Sequence, residues 1–502
     1  MSEEARQRDD LAKLMAGQTL DSRIMRGTAW VAVGYGSRNL FSLLTTLVLV
    51  RLLEPRAFGL VALAWTVLVI CDQIQGAGTT SALIFRRENI RRSAGTALVF
   101  LWCTSLVLYA VSFLVAPLVA ALFRAPDLTG VLRGLTLLLV IRSFSAVPAA
   151  LLERNLQFRT RALCELAGGL AQCASSIALG FAGYGVWSLV IGQLVGSIVS
   201  GALTWVVSPW LPNPRLASYS LLKELIGYGR YVSATNILNI ANNAVDNVVV
   251  GRILGTGLLG FYSVGYRLAD APNTVIGQIV AGGRVMFPVY SLVRHDVPRF
   301  WRIYVETLQR VALLALPVSV GIFVLAGPLV HALLGPGWEP TITPLRVLAV
   351  FGVVKSFSAP SGEVFKGAGR PELGLLVGAV QVALAIPSLI ILVHLYGLEG
   401  AAIAMTGVMV VNAVLRLWLT LGLLHGKVGE LGRALAPSGL CAGLLGLVLV
   451  ILLPATSSMA PVPALVVLVF SGALVYVGAT FAFARRVVRP MWGGLRGARA
   501  VR

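Results

Sequence analysis

Two segments, LTLLLVIRSFSAVPAALL (residues 135–152) and LRVLAVFGVVKSFSAP (residues 345–360), decide how the whole sequence is interpreted. Each is an apolar run with a cation at the same point: Arg142 begins RSFSA, and Lys355 begins KSFSA 213 positions later. A charge at the centre of a membrane helix costs about 2.5–3.5 kcal/mol on insertion scales. The repetition of such a costly residue predicts a duplicated membrane unit in which the cation has a role.

Composition places the chain among polytopic helical membrane proteins. It is 57% hydrophobic and only 12% charged, which is more apolar than soluble domains of this length require. Apolar runs of about 20 residues, the length that crosses a roughly 30 Å hydrocarbon layer, recur between short polar breaks. We count about fourteen, at residues 27–52, 57–82, 93–118, 130–152, 161–181, 185–208, 222–252, 257–283, 303–327, 341–365, 372–394, 398–423, 434–454 and 462–484.

The basic net charge of +20 follows the topology of a membrane protein. With the N-terminus inside, most Lys and Arg fall in cytoplasmic loops and in the arginine-rich C-terminus, as the positive-inside rule predicts. Both termini are then expected to be cytoplasmic. The basic residues on that side are expected to contact membrane lipids and not nucleic acid. The polar first 26 residues do not resemble a cleavable signal peptide. The five cysteines and four histidines show no paired spacing, so neither a disulfide nor a metal site is expected.

The chain contains an internal repeat. RLLEPRAFG at 51–59 matches RILGTGLLG at 252–260, and Tyr184-Gly185 matches Tyr396-Gly397 at an offset of 212. Chance similarity among apolar helices is the alternative, but ordered matches that include charged residues count against it. Because a six-helix unit is even, the two copies are parallel repeats, and such transporters hold substrate between their halves near the midplane.

The repeat divides the chain into predicted segments. They are a cytoplasmic N-terminal segment (1–26), an N-lobe of helices 1–6 (27–208), a cytoplasmic linker (209–221), a C-lobe of helices 7–12 (222–425), helices 13 and 14 (426–484) and a basic cytoplasmic tail (485–502).

Polar residues inside the spans follow helical spacing, which predicts that they face one cavity between the lobes. Hydrogen bonding between helices is the alternative, at about 0.6 kcal/mol per contact, but it needs no charge. Several deep cations with few uncompensated acids favour an anionic ligand, and guanidinium groups suit phosphate oxygens. The predicted cavity residues are Arg38, Arg142, Arg267, Lys355, Asn239, Asn243 and Gln278. Arg51 with Arg252, and Arg133 with Arg346, are predicted to frame the outer mouth.

The sequence contains no motif that supports a catalytic function. GTGLLG at 255–260 fits a dinucleotide-binding pattern, but it lies in a short connection between membrane helices and lacks the strand that the motif needs. The chain has no P-loop, HExxH or GxSxG motif, and its external loops are too short for a catalytic domain. A transporter is therefore predicted, not an enzyme.

Several segments resemble the polysaccharide-transporter branch of the MOP (MATE-like) flippase superfamily, the Wzx-type lipopolysaccharide and colanic-acid exporters. The resemblance extends in order from about residue 22 to 425, and the last two helices match only in kind. The segments are LVRLLEPRAFGLVALA, DQIQGAGTTSALIFRRE, LLERNLQFRTRALCEL, NNAVDNVVVGRILGTGLLGFYSVGYRL, GGRVMFPVYSLV and LLGPGWEPTITPLRVLAVFGVVKSFSAPSGEVFKGAGRPEL.

The resemblance implies two six-helix lobes around a V-shaped cavity, plus two extra helices, in a bacterial cytoplasmic (inner) membrane. Such proteins translocate undecaprenyl-diphosphate-linked oligosaccharide to the periplasmic leaflet by alternating access, for export of a cell-surface polysaccharide. Polymerase or export machinery are then expected partners. No cofactor is expected; a proton or sodium gradient would drive transport. The acids to test are Asp72, Asp246, Asp270 and Glu363, although Asp270 could instead neutralise Arg267 one turn away.

Three other functions compete with this interpretation. A MATE-like multidrug or cation antiporter would need exposed acids and aromatics in the cavity instead of paired deep cations. A membrane-embedded glycosyltransferase or ligase would need external carboxylates or a large external loop. A non-transporting scaffold of a polysaccharide-synthesis complex would need none of these features.

Overall fold

The computed structural model describes residues 39–76, 90–155, 157–208, 244–280 and 293–483, and positions 34, 36, 37, 221, 286, 290 and 291, with the side chains at 91, 275 and 277–280 excepted. Within these ranges the chain is helical and contains no strand. Ten helical stretches of the described residues, with Pro371–Leu424 counted as one, are long and apolar enough to cross a membrane, which confirms the predicted all-α polytopic membrane fold. The count of fourteen spans and the boundaries of the two lobes stay predictions.

The first half of the described chain forms six helices. They are α1 (Asn39–Leu49), α2 (Pro55–Gly76), α3 (Ile90–Leu122), α4 (Leu128–Arg154), α5 (Phe158–Phe181) and α6 (Val186–Val207). Proline at the start of α2 is favourable, because the first residue of a helix has no intrahelical acceptor for its N–H. Helix α4 is central in this half, since it packs against α2, α3 and α6, while α5 packs along α6.

The second half begins with α7 (244–253), α8 (Gly255–Val280) and α9 (Val297–Val324). A π-helical turn (Val330–Leu334) and a 3-10 turn (Glu339–Thr341) lead into α10 (Ile342–Gly367). The continuous stretch Pro371–Leu424 is broken at Gly397, and we number its two parts α11 (371–396) and α12 (398–424). Helix α10 packs on α8 and α9, and α13 (Val428–Ala455) packs on α9 and on α14 (Pro461–Phe483).

Two glycines show the internal repeat at the level of the backbone. Gly185 precedes α6 with φ 55° and ψ −132°, and Gly397 separates α11 from α12 with φ 58° and ψ −129°. These angles lie in a region that side chains with a Cβ atom rarely enter, so glycine is the suitable residue. The two positions are the repeat partners matched in the sequence, and they make the same turn.

The outer surface of the helices is apolar, as a surface that faces lipid must be. Leu114 is 74% exposed, Val206 82% and Phe470 70%. In water, such a continuous apolar surface would be an aggregation hazard. In a bilayer the hydrocarbon replaces water as the solvent, and the backbone hydrogen bonds are satisfied within each helix.

The two halves of the chain meet through α2 and α8, in what we call the α2–α8 crossing. A Cβ atom added at Gly59 would lie 1.8 Å from the carbonyl oxygen of Thr256, and one added at Gly260 would lie 1.8 Å from the carbonyl oxygen of Pro55. Gly59 and Gly260 are repeat partners, and so are Pro55 and Thr256. The contact is therefore symmetric, and it brings backbone against backbone at the ends predicted to face outwards.

Arg51 holds the same outer end of the molecule together. Its Nε donates to the carbonyl oxygen of Leu333 at 3.3 Å, and its Nη2 donates to the carbonyl oxygen of Ala332. Nearby, the ring of Phe58 on α2 packs edge-on against Trp338, with centroids 5.7 Å apart. First-half side chains thus contact the turns between α9 and α10, which joins the halves at this end.

Candidate interlobe cavity

A cavity of about 720 Å³ lies between the two halves of the chain. Its walls come from α1, α2, α4, α5 and α6 on one side and from α7 and α8 on the other. It extends from Thr46 and Arg267 towards Glu165, which lies near the end of α5 that is predicted to be cytoplasmic. Its volume is within the range of about 300–1,000 Å³ that is usual for small-molecule sites.

Arg142, the cation of RSFSA, lines this cavity from the middle of α4. Its guanidinium carbon lies 5.4 Å from the centre of the Trp65 ring, which comes from α2. This distance is within the range of a cation–π interaction, which stabilises a partly desolvated guanidinium. The structure thus places the charge of Arg142 where the sequence analysis predicts it, beside an aromatic residue that the analysis did not single out.

Arg267 faces the same cavity from α8. Its Nη1 donates to Thr46 Oγ1 on α1 at 2.9 Å, so the side chain joins the second half of the chain to the first. Within the described ranges Arg267 forms no ion pair. A guanidinium has five N–H donors, and those not used by Thr46 remain for another acceptor. Phosphate oxygens are the acceptors that a guanidinium fits best.

Lys355, the cation of KSFSA, is not an independent anion ligand in this structure. Its Nζ lies 2.8 Å from Asp270 Oδ1, and Thr274 Oγ1 donates to the other carboxylate oxygen at 2.9 Å. The alternative that Asp270 neutralises Arg267 is therefore wrong. Helix α10 packs on α8, so the long stem of Lys355 reaches Asp270, while Arg267 turns towards α1.

The Lys355–Asp270 pair is half-buried, with side-chain exposures of 34% and 17%. We expect Lys355→Met to destabilise the protein by about 1–3 kcal/mol, because it leaves a carboxylate without its cation; the partial exposure lowers the cost below that of a fully buried pair. Adding Asp270→Asn to Lys355→Met is expected to recover part of the loss. Thermal unfolding in detergent micelles measures both effects.

A control for this prediction is Arg56→Met. Arg56 pairs with Asp127 at 2.6 Å, but the two side chains are 52% and 60% exposed, so neither group is left buried and the removal is expected to cost little. Equal destabilisation by Lys355→Met and Arg56→Met would contradict a structural role for the Lys355–Asp270 pair.

Asp246 lies at the junction of the two halves and is only 3% exposed. Its Oδ1 accepts from the backbone N–H of Asn247 at 2.8 Å, and its Oδ2 accepts from the Tyr262 hydroxyl at 3.1 Å. Asp246 and Asp270 both line the cavity. They are thus the two predicted coupling acids that the structure brings to it.

The other two predicted coupling acids lie away from the cavity lining. Asp72 is half-buried on α2. Glu363, on α10, accepts from Lys366 through Oε1, while its Oε2 is buried and has no hydrogen-bond partner among the described residues. The structure therefore does not place these four acids in one group.

The remaining predicted residues divide into two groups. Arg38, Asn239 and Asn243 lie outside the described residues, and the side chain of Gln278 is not described. Of the predicted outer-mouth arginines, Arg252 and Arg346 are exposed. Arg133 lies with its guanidinium carbon 4.0 Å from the centre of the Phe113 ring on α3, and Arg51 binds the carbonyls described above. Neither of these contacts joins an arginine to its repeat partner.

The charge of the cavity is more balanced than the sequence analysis predicts. Alongside its two arginines, the described lining contains three carboxylates, from Glu165, Asp246 and Asp270. Glu165 is paired with Arg161 at 3.0 Å and Asp270 with Lys355. Among the described lining residues, Asp246 is the carboxylate without an ion pair. Cations thus compensate two of the three carboxylates, in agreement with the expectation of few uncompensated acids. The total number of acids in the lining is larger than expected.

The cavity also has an uncharged polar wall, which was not predicted from the sequence. Gln172 and Ser176 on α5, and Gln193 and Ser197 on α6, all line it. In each pair the spacing is four residues, which places both side chains on one helical face. That spacing could have predicted a polar face on each helix, but the apolar residues and glycines between the polar positions make the pattern difficult to recognise.

Comparison with known proteins agrees with this structure. The family model described as "Polysaccharide biosynthesis protein" matches residues 48–343. The chain is 23% identical over 398 residues to the lipopolysaccharide biosynthesis protein WzxC of Escherichia coli, covering 79% of this chain and 80% of that protein. It is 26% identical over 399 residues to the succinoglycan biosynthesis transport protein ExoT of Rhizobium meliloti, covering 78% of each.

Solved structures share the fold at low sequence identity. The lipid II flippase MurJ, in an inward closed conformation, superimposes with a TM-score of 0.71 at 16% identity, covering 92% of this chain and 99% of MurJ. An inward-facing multidrug resistance MATE family transporter of the MOP superfamily gives 0.63 at 20% identity, covering 79% and 96%.

ExoT is a transport protein, MurJ is a flippase and the MATE protein is a transporter, which confirms the predicted class of transporter as opposed to enzyme. The matching model covers more than half of the chain, and its range includes the α2–α8 crossing, Arg142 and Arg267. The chain therefore belongs to the polysaccharide biosynthesis protein family, in a membrane fold shared with MurJ and the MATE transporters.

Proposed function

We propose that the protein is a flippase for a lipid-linked oligosaccharide, which it moves between membrane leaflets for export of a cell-surface polysaccharide. The observation that carries the proposal is the cavity, in which Arg142 and Arg267 from opposite halves face one space. The expected substrate is an undecaprenyl-diphosphate-linked oligosaccharide, translocated from the cytoplasmic to the periplasmic leaflet.

The proposed mechanism uses the two arginines as ligands for the diphosphate. The head group enters at the helix ends predicted to be cytoplasmic, which the cavity approaches, while the polyprenyl tail stays in lipid. Arg267 offers unused guanidinium donors, and Arg142 adds a second cation from the other half. Because the arginines belong to different halves, separation of the halves divides the ligand set and weakens binding.

Release on the outer side requires the α2–α8 crossing to open. In the present state, this crossing and the Arg51 contacts close that end of the molecule. Alternating access then consists of opening the crossing while the opposite end closes. The membrane potential favours outward movement of an anion, at about 2.3 kcal/mol per charge for each 100 mV.

Several further features belong to the proposal. The protein works in a bacterial cytoplasmic membrane with both termini in the cytoplasm, and it uses no cofactor. A proton or sodium gradient drives the cycle, with Asp246 and Asp270 as the acids best placed to take part, since both line the cavity. A polysaccharide polymerase or export machinery receives the product.

A multidrug or cation antiporter is the second candidate, and one observation favours it. The cavity is also lined by the aromatic rings of Trp65 and Tyr266 and by Asp246, a combination that suits an organic cation. The family match and the relatives in polysaccharide biosynthesis support the flippase instead. Arg142 and Arg267 would also repel a cationic substrate.

One reconstitution experiment separates these functions. The full-length protein is placed in proteoliposomes that contain either a fluorescent polyprenyl-diphosphate oligosaccharide or a fluorescent organic cation. We expect the lipid in the inner leaflet to become accessible to a membrane-impermeant reductant, and the organic cation to stay where it was loaded. Movement of the cation alone would establish the antiporter, and movement of neither would favour the scaffold.

A further inference from the structure

The α5–α6 wall of the cavity, defined by Gln172, Ser176, Gln193 and Ser197, carries polar groups that the proposed mechanism does not use. In the described part of the chain, the side-chain amides of Gln172 and Gln193 have no hydrogen-bond partner in the protein. A half-buried amide without a partner is costly unless water or a ligand satisfies it. Both amides line the cavity, so a ligand in the cavity is within their reach.

Close backbone packing fixes this wall. A Cβ atom added at Gly196 would lie 2.6 Å from the Cβ of Gln172, and one added at Gly192 would lie 1.8 Å from the hydroxyl oxygen of Ser176. Helices α5 and α6 therefore approach each other more closely than larger residues allow, as small residues permit in membranes. The positions of Gln172 and Ser176 are thereby held by a rigid helix pair, and rigid polar groups bind at a lower entropic cost.

The internal repeat supplies an independent comparison. At the offset of 212 residues that relates Tyr184 to Tyr396, Gln172 corresponds to Leu384 and Gln193 to Met405. Leu384 is 40% exposed and Met405 is buried, at 3%. The two copies share the cation of the RSFSA and KSFSA segments, but the amides of the second copy, Gln381 and Asn412, lie at other positions and bond to each other at 2.8 Å. Helix packing common to both copies does not account for the glutamines.

The two sides of the cavity also differ in how their polar groups are satisfied. On the second-half side, Asp270 is bonded to Lys355 and Thr274, and Asp246 accepts from the Asn247 backbone and from Tyr262. These acids are occupied by protein donors. Unoccupied neutral donors and acceptors line the cavity on the first-half side, on the α5–α6 wall and at Asn39 and Ser42 of α1.

We infer that the α5–α6 wall binds the uncharged sugar residues of the head group and thereby contributes to selection among glycans. An amide both donates and accepts, which suits hydroxyl and N-acetyl groups, and serine hydroxyls do the same. In this arrangement Arg142 and Arg267 hold the diphosphate, and Gln172 and Gln193 contact the sugars attached to it. The inference rests on the proposed function, because it assigns a second part of the same substrate to the same cavity.

The test compares two probes in proteoliposomes that contain the full-length protein. The first probe is a polyprenyl-diphosphate tetrasaccharide of glucose and galactose that carries a fluorophore. The second probe is the same polyprenyl diphosphate without sugar, with the fluorophore attached to the diphosphate. The variant is Gln172→Leu with Gln193→Met, which installs the residues of the repeat partners. We expect the wild type to flip the sugar probe faster, and the variant to lower the ratio of the two rates about tenfold.

The ratio separates recognition from stability, because a poorly folded variant slows both probes equally. Gln309→Met is the matched control, since Gln309 on α9 donates to the carbonyl oxygen of Ala434 away from the cavity, and we expect it to keep the wild-type ratio. The inference is overturned if the double variant keeps the wild-type ratio, or if the wild type flips both probes equally. If the wild type flips neither probe, the proposed function itself fails.

Discussion

Arg267→Gln is expected to slow flipping of the labelled polyprenyl-diphosphate oligosaccharide by about 10- to 150-fold. A hydrogen bond to a charged group contributes about 1.5–3 kcal/mol, and each 1.4 kcal/mol corresponds to a factor of ten. Among the described residues Arg267 has one hydrogen bond to the protein, from Nη1 to Thr46, so its other donors are those that a diphosphate would occupy. Arg267→Glu should have a larger effect, because the negative charge would also repel the substrate. The rate of quenching by a membrane-impermeant reductant measures both.

Two variants separate substrate binding from the link between the halves. Thr46→Val removes the protein acceptor of Arg267 and preserves the shape of the side chain, so it should keep most of the activity. Arg302→Gln removes an exposed cation of α9 and should leave the rate unchanged. If Thr46→Val is as slow as Arg267→Gln, the arginine holds the halves together and does not bind the diphosphate.

Gly59→Val is expected to abolish the closed state of the outer end and to reduce flipping by more than about tenfold. The new Cβ would lie 1.8 Å from the Thr256 carbonyl oxygen, and backbone atoms cannot move aside as a flexible side chain does. Overpacking typically costs about 1–3 kcal/mol, and a clash with backbone lies at the upper end. A shift of that size changes the ratio of the two states by about 5- to 150-fold. Spin labels on α2 and α8 near the crossing would report a longer distance.

The symmetry of the crossing provides both a replicate and a control. Gly260→Val should have the same effect as Gly59→Val, since its Cβ would meet the Pro55 carbonyl oxygen at the same distance of 1.8 Å. Gly257→Ala lies on the same helix, and its Cβ would meet nothing within 4 Å, so it should behave as the wild type. Normal flipping by Gly59→Val and Gly260→Val would show that the crossing does not have to close.

The features that sequence reasoning predicted correctly are those that a linear pattern can encode. Apolar runs predict membrane helices, because the bilayer thickness sets their length. The RSFSA segment indicated Arg142, because a deep cation in an apolar run is costly, and Arg142 lines the cavity; its role stays a prediction. The match between Tyr184-Gly185 and Tyr396-Gly397 predicted equivalent positions, and the glycines share one unusual backbone conformation.

The features that it missed depend on which helices are neighbours. Lys355 matches Arg142 in sequence, but only the packing of α10 on α8 shows that its partner is Asp270. Likewise, Arg51 binds carbonyl oxygens about 280 positions away, and no local pattern indicates such a contact. Gln172 and Gln193 gain their significance from a shared cavity wall and from having no partner among the described residues, which a sequence does not show.

The most direct test of flipping is the rate at which the wild-type protein alone moves the labelled polyprenyl-diphosphate oligosaccharide across a sealed bilayer. In protein-free vesicles about half of the label, in the inner leaflet, should resist the impermeant reductant, because a charged head group crosses hydrocarbon very slowly. We expect proteoliposomes to lose that protected half, at a rate proportional to the amount of protein. Retention of the protected half in sealed vesicles that contain folded protein would contradict the assignment of this chain as a flippase.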